Sequence, residues 1–249
     1  MRIKYFLKNP LTSIHTILLN QGWDLYNNIY FNFHYLPFKQ AFKMPVRLRK
    51  VKIKNNALGV VAIKSDRIYR GMITIGDDFL NNYWNNNYSI LDIRGRLELY
   101  DNVKLGPGTF LRVGKNALMV LEKDVHSSSG LNIYSYYKII IGEGSKLGWN
   151  SIIMDTDSHP LYDVIRGTTT KIYAPTILGK HCWVGTSSMI LKGTHLADEI
   201  TVKAGSIVSG RFNSVRTIIG GNPAKEIESG MYITEDTFYS YPPIRNKAY

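Results

Sequence analysis

Residues 176–209 read TILGKHCWVGTSSMILKGTHLADEITVKAGSIVS, and their period decides the fold. Leu178, Val184, Ile190, Leu196, Val202 and Val208 are aliphatic at a constant spacing of six. Two places before each stand Thr176, Cys182, Ser188, Thr194, Ile200 and Ser206. Five of those six are small, as a narrow interior beside a large aliphatic requires. Helices and simple strands repeat at about 3.6 and 2 residues, so neither produces this pattern. Gly179 and Gly185 directly follow Leu178 and Val184. The hexads therefore predict short strands that turn after every sixth position, three to a triangular coil, stacked as a parallel β-helix.

The period extends upstream with interruptions. Ile93, Leu99, Leu105 and Leu111 share one phase, and Ile141, Leu147 and Ile153 resume it. Lys123, Ser129 and Ser135 fall in phase between them, so this stretch is expected to bulge or to tolerate polar positions. Four hexads counted from Ile153 end at Ile177, one position short of Leu178. Residues 160–176 are therefore expected to leave the coil as a loop. Before the repeat, Val46, Leu48, Val51 and Ile53 alternate with basic residues as a strand does. Asn9-Pro10 reads as a helix start ahead of the stripe Leu11, Ile14, Ile17 and Leu18, and a second short helix is expected from Pro37 to Lys43. The chain divides into an aromatic, partly helical segment (1–50), an all-β helix domain (51–222) and an irregular C-terminal tail (223–249).

The formal charge of +12 suggests nucleic acid until it is located. Residues 1–70 hold 13 Lys and Arg against Asp24 and Asp66, whereas residues 71–249 hold 18 basic and 17 acidic residues. A reading module for nucleic acid carries its charge on itself, and here the main body is near neutral, so no nucleic-acid partner is expected. The single Cys182 excludes an intrachain disulfide framework and a Cys-rich zinc module. No apolar run reaches the ~18 residues of a spanning helix, and residues 1–26 lack the pattern of a secretory signal. A cytoplasmic location is expected. Lys39–Lys54 contains seven Lys and Arg and no acid, after ten aromatics between Tyr5 and Phe42. The segment reads as a solvated linker, as a peripheral contact with anionic lipid at the inner face of the membrane, or as a contact with an acidic acceptor.

Three motifs in order, ILGKHCWVGTSSMILKGT (177–194), VKAGSIVS (202–209) and GGNPAKEI (220–227), resemble the hexapeptide-repeat acyltransferases. IIMDTDSHP (152–160) resembles the site of the family's sugar and capsular-polysaccharide O-acetyltransferases. The resemblance covers roughly residues 90–228. It implies a left-handed parallel β-helix, a homotrimer, and acetyl transfer from acetyl-CoA to a hydroxyl or an amine.

His159 is the candidate general base, because a neutral imidazole accepts a proton from a sugar hydroxyl at neutral pH. It stands where the loop leaves the rigid coil, a position suited to a site shared by neighbouring subunits. Asp155 and Asp157 are expected to orient the imidazole, to bind the acceptor, or to satisfy turn backbone groups. The resemblance assigns Trp183 to the thioester end, with its indole N–H as the donor. Val184 points inward, so Trp183 is expected to point out. The resemblance also places CoA beside Gly185, Thr186, Ala204, Ser209 and Lys225, with Lys203 and Arg211 near its phosphates. Gly210 stands where family members often carry a basic residue. Gamma-class carbonic anhydrases share this fold and hold zinc with three histidines. Here Thr176 stands five places before His181, where a ligand would be needed, and no metal is expected. The leading reading is a sugar or cell-surface polysaccharide O-acetyltransferase. The alternatives are an N-acetyltransferase of an amino sugar nucleotide or an antibiotic, and a non-catalytic β-helix scaffold.

Overall fold

A computed structural model describes residues 24–54, 59–77 and 87–233. The expected helix start at Asn9-Pro10 lies outside the described residues. The body is a left-handed parallel β-helix with three faces. The first face runs from Val46–Leu48 to Ala224–Ser229 in nine strands, the second from Val51–Ile53 to Ile207–Val208 in seven, and the third from Val60–Ile63 to Arg211–Phe212 in seven. Successive coils pair in parallel on every face, so backbone hydrogen bonds run along the helix axis.

The hexads behave as the period predicts. Leu178, Val184, Ile190, Leu196, Val202 and Val208 are all buried, and so are the residues two places before them. Several of those earlier residues do more than fit a narrow interior. The hydroxyl of Thr194 donates to Leu191 O (2.7 Å), that of Ser206 to Lys203 O (2.6 Å), and that of Ser188 to Lys203 O (2.9 Å). Small size and the need to satisfy buried corner carbonyls select the same residues. The residue just before each corner position is left-handed: His181, Ser187, Gly193, Glu199 and Gly205 have φ between 54° and 78°. Every corner thus turns the same way, one hexad apart.

Upstream the coils are wider. Met189 pairs with Ile207, a spacing of three hexads. Asn132 pairs with Ile152 at two positions more, and Phe110 with Asn132 at four more. The additions lengthen strands: Phe110–Val113, Leu118–Leu121, Asn132–Ser135 and Lys138–Ile141 are four long, against two in Trp183–Val184 or Met189–Ile190. This explains the broken phase. Ser129 and Ser135 are buried although they interrupt the aliphatic ladder, and the inward aliphatics have moved to Met119, Leu121, Leu131 and Ile133.

An added segment lies at each end of the stack. Helix α1 (Leu25–Tyr35), which the sequence pattern did not reveal, lies across the first coil. Asn28 and Asn32 imitate a neighbouring strand there. Their amides donate to Leu48 O and Val46 O (2.8 Å each), and their side-chain carbonyls accept Leu48 N–H (2.8 Å) and Val46 N–H (3.1 Å). An unpaired strand edge is thereby blunted, and coil structure begins at Val46, ahead of residue 51. Helix α2 (Phe38–Ala41) follows within the stretch expected to be helical. At the other end Ala224–Ser229 folds back antiparallel on Thr217–Gly221.

Candidate active site

Ile152 pairs with Met189, about twice as far along the chain as Met189 stands from its own next partner Ile207, so this coil carries a long insertion between the second and third faces. The insertion leaves after Ile152–Met154, forms a small hairpin (Tyr162–Asp163 with Thr168–Thr169), and returns at Thr176–Leu178. Its root is held by Asp155. This carboxylate is buried and accepts from Tyr136 N–H (2.8 Å), Tyr137 N–H (2.9 Å) and Ser135 Oγ (2.9 Å) of the preceding coil. Asp157 pairs with the ammonium of Lys192, which also donates to Lys171 O, tying the departing and returning strands to the next coil. Ser158 takes a left-handed conformation (φ 65°) and donates its N–H to Thr156 Oγ1. His159 follows, exposed, its backbone N–H bonded to Asp157 O (2.7 Å).

Neither aspartate accepts a hydrogen bond from the imidazole among the described residues. Asp155 serves the backbone and Asp157 serves Lys192, so both fix the position of the turn that presents His159. Lys192 was not singled out in the sequence. Its only signal is its place at the corner one coil above His159.

The structure sorts the remaining candidates onto two sides of the prism. Along the edge between the second and third faces lie His159, Asp157, Ser209 and Arg211. Arg211 pairs in register with His195, whose imidazole is held below its ordinary range first by desolvation and then by Arg211. Trp183 lies in a strand of the first face, and Gly185, Thr186, Lys203 and Ala204 lie along the edge that follows, between the first and second faces. Trp183 points outward and is 44% exposed. A Cβ on Gly185 would stand 2.5 Å from Ala204 N and 2.6 Å from Val202 O, so the stacked corner admits no side chain there. Lys225 joins this group through Gly220: it pairs with Gly220 in register, and a Cβ on Gly220 would stand 3.0 Å from Lys203 Cβ. Lys203 and Lys225, both exposed, therefore stand together at the C-terminal end. Cys182 is buried between coils, and burial pushes its thiol up to about 12. Among the described residues no three His, Cys, Asp or Glu side chains cluster as a metal site.

Comparison with known proteins shows what the chain is similar to. Residues 175–209 match the family model described as the hexapeptide repeat of succinyl-transferase. The repeat and the named relatives make the chain similar to the hexapeptide-repeat acyltransferases. Among its relatives is an uncharacterized 24.8 kDa protein in the cps region of Klebsiella pneumoniae, 27% identical over 79% of this chain and 84% of that one. Galactoside O-acetyltransferase of Escherichia coli (strain K12) is 23% identical over 44% of this chain and 52% of its own. Polysialic acid O-acetyltransferase of Neisseria meningitidis is 31% identical over 31% of this chain and 36% of its own. The chain thus spans about half or less of the two relatives whose names state an activity.

Proposed function

We propose that the protein is an acetyl-CoA-dependent O-acetyltransferase acting on a hydroxyl of a sugar or cell-surface polysaccharide. One observation carries this reading: a histidine stands exposed at the root of an insertion whose turn is clamped by a buried carboxylate and an ion pair. A rigid mount for one solvent-facing imidazole suits proton transfer and has no evident use in a scaffold. The names of the galactoside and polysialic acid relatives supply the acceptor class.

His159 Nε2 or Nδ1 removes the acceptor hydroxyl proton as the oxygen attacks the thioester carbonyl. The tetrahedral oxyanion is met by a nearby N–H, with the Trp183 indole as the candidate donor. The C–S bond then breaks, and the proton on His159 passes to the departing thiolate. Lys203 and Lys225 suit the phosphates of CoA, where compact ammonium groups act as point charges. Because His159 stands at the edge between the second and third faces and Trp183 on the first face, the reading requires the His159 edge of one subunit to meet the first face of another, which the expected homotrimer provides. Sedimentation equilibrium giving a monomer in active solutions would remove this arrangement. Thiol release from acetyl-CoA in the presence of sugar acceptors, with alkali-labile product esters, tests the reaction. Products stable to mild alkali would point to the amine.

The amino-terminal region supports a peripheral membrane contact. Phe33, Phe38 and Phe42 are exposed and pack edge-to-face, with centroids 4.6 to 6.1 Å apart, beside Lys39 and Lys43. No helix among the described residues is long and apolar enough to cross a membrane. Co-sedimentation with anionic vesicles at low salt is the expected result, and its absence would remove the contact.

A further inference from the structure

The wider coils leave a concave surface on the His159 edge that the reaction does not use. Asp92 is fully buried at the end of Ser89–Ile93, yet its carboxylate holds two arginines. Arg94 Nε and Nη2 approach its two oxygens (2.8 and 3.1 Å), and Arg112 Nε donates to one of them (3.0 Å). Arg112 Nη1 also donates to the Tyr136 hydroxyl (3.2 Å). One carboxylate thus orients two guanidinium groups and leaves one net positive charge. Both side chains remain partly exposed, at 51% and 33%.

These arginines line a groove of about 560 Å³ with Lys115, Tyr136, Tyr137 and Tyr173. Among the described residues, no acidic side chain lines it. A second groove of about 530 Å³ shares Tyr137 and Tyr173 and continues to Pro160, the residue after His159. Asp155 ties the two together, since the carboxylate that roots the His159 turn also holds the backbone of Tyr136 and Tyr137. Guanidinium donors fixed in advance suit carboxylates, and exposed, rigid tyrosine rings suit the flat apolar faces of sugars.

We infer that this paired groove, lined by Arg94, Arg112, Lys115, Tyr136, Tyr137 and Tyr173, binds an oligosaccharide segment bearing carboxylates and leads one of its hydroxyls toward His159. The inference rests on the transferase reading for the purpose of the groove, but its binding can be measured separately.

The test is direct binding of oligogalacturonate and of α-linked oligosialate, without acetyl-CoA, to the full chain, with carboxyl-reduced oligogalacturonate as the neutral control. At least one acidic oligomer is expected to bind more tightly than the neutral control, and its affinity should fall with added salt. Arg112→Gln should weaken it about tenfold. Because that change also loosens Asp92, Lys115→Ala and Tyr173→Ala, both at exposed positions, serve as independent variants and should weaken binding as well. No preference for acidic oligomers, or binding indifferent to Lys115→Ala and Tyr173→Ala, would overturn the groove. Thiol release from acetyl-CoA, read in the unsubstituted protein, judges the transferase reading alone. Acidic binding without thiol release leaves the groove standing; thiol release without acidic binding overturns it.

Discussion

The coils after residue 175 and those before residue 155 have the same three faces but are built on different turns. Downstream, partners on the second and third faces stand three hexads apart or slightly closer, as Met189 with Ile207 and His195 with Arg211. That spacing leaves strands of two and tight corners. Upstream, the wider spacing of Asn132 to Ile152 and of Phe110 to Asn132 lengthens strands to four and broadens the edge between the second and third faces. The tight coils hold a ladder in strict phase and carry the lysines proposed for CoA. The broad coils surround the arginine–tyrosine groove, and the insertion bearing His159 leaves where the two regimes meet. Regularity serves register, and added residues make surface for recognition.

Deleting one residue is the harshest test of that contrast. Removing Met189 shifts every later hexad by one and turns the aliphatic ladder outward, because a strand slipped by one residue exchanges its faces. Loss of the coils beyond it is expected, seen as rapid proteolysis after residue 189 and loss of β-structure by circular dichroism. Removing Ile165, which is 94% exposed in the turn of the inserted hairpin, should leave the ladder and melting temperature nearly unchanged. Equal tolerance of both deletions would erase the distinction.

Next in size is the reaction. His159→Ala should lower acetyl transfer by ~10²-fold or more with an unchanged circular dichroism spectrum, whereas near wild-type thiol release would dismiss the histidine as base. Asp155→Ala acts at the junction of the two coil types. It strands the backbone N–H groups of Tyr136 and Tyr137 in a buried turn, and a destabilisation of ~3 kcal/mol is expected in denaturant melts. The transfer rate should fall with it, since the turn that presents His159 loses its anchor. A melt that does not move would show that water replaces the carboxylate.

The same contrast governs what the sequence disclosed. The tight coils could be read because each turn of the prism is a whole number of hexads, so Leu178 to Val208 announce themselves by spacing. The insertion was legible as one position too many between Ile153 and Leu178. The broad coils were only partly legible, because two added residues move the inward positions from Ser129 and Ser135 to Leu131 and Ile133 without changing the residue types. Helix α1 escaped because its contribution is hydrogen bonding: Asn28 and Asn32 pair with a strand edge, and no hydrophobic period records that. His159 and Trp183 were found by motif. That they stand on different sides of the prism follows from the coil geometry, which a period of six does not by itself reveal.

The smallest effect is expected at Cys182, in a tight coil where a polar site could be mistaken for chemistry. Its thiol donates to Ala197 O (3.2 Å) within the wall between coils, with no solvent exposure. Desolvation leads the rise of its pKa to about 12, so at neutral pH it is a protonated thiol and no nucleophile. Cys182→Ala should therefore leave acetyl transfer intact, and no acyl group should be found on the sulfur in acid-quenched protein. Thiol reagents should react only after unfolding. The pH dependence has a definite sign. The unfolded thiol ionises near the ordinary 9.0 and the folded one near about 12. Its share of stability is therefore complete below the unfolded value and is lost as the pH climbs toward the folded one. Rapid alkylation of the folded protein at neutral pH would show that the tight coils open far more readily than their strict register implies.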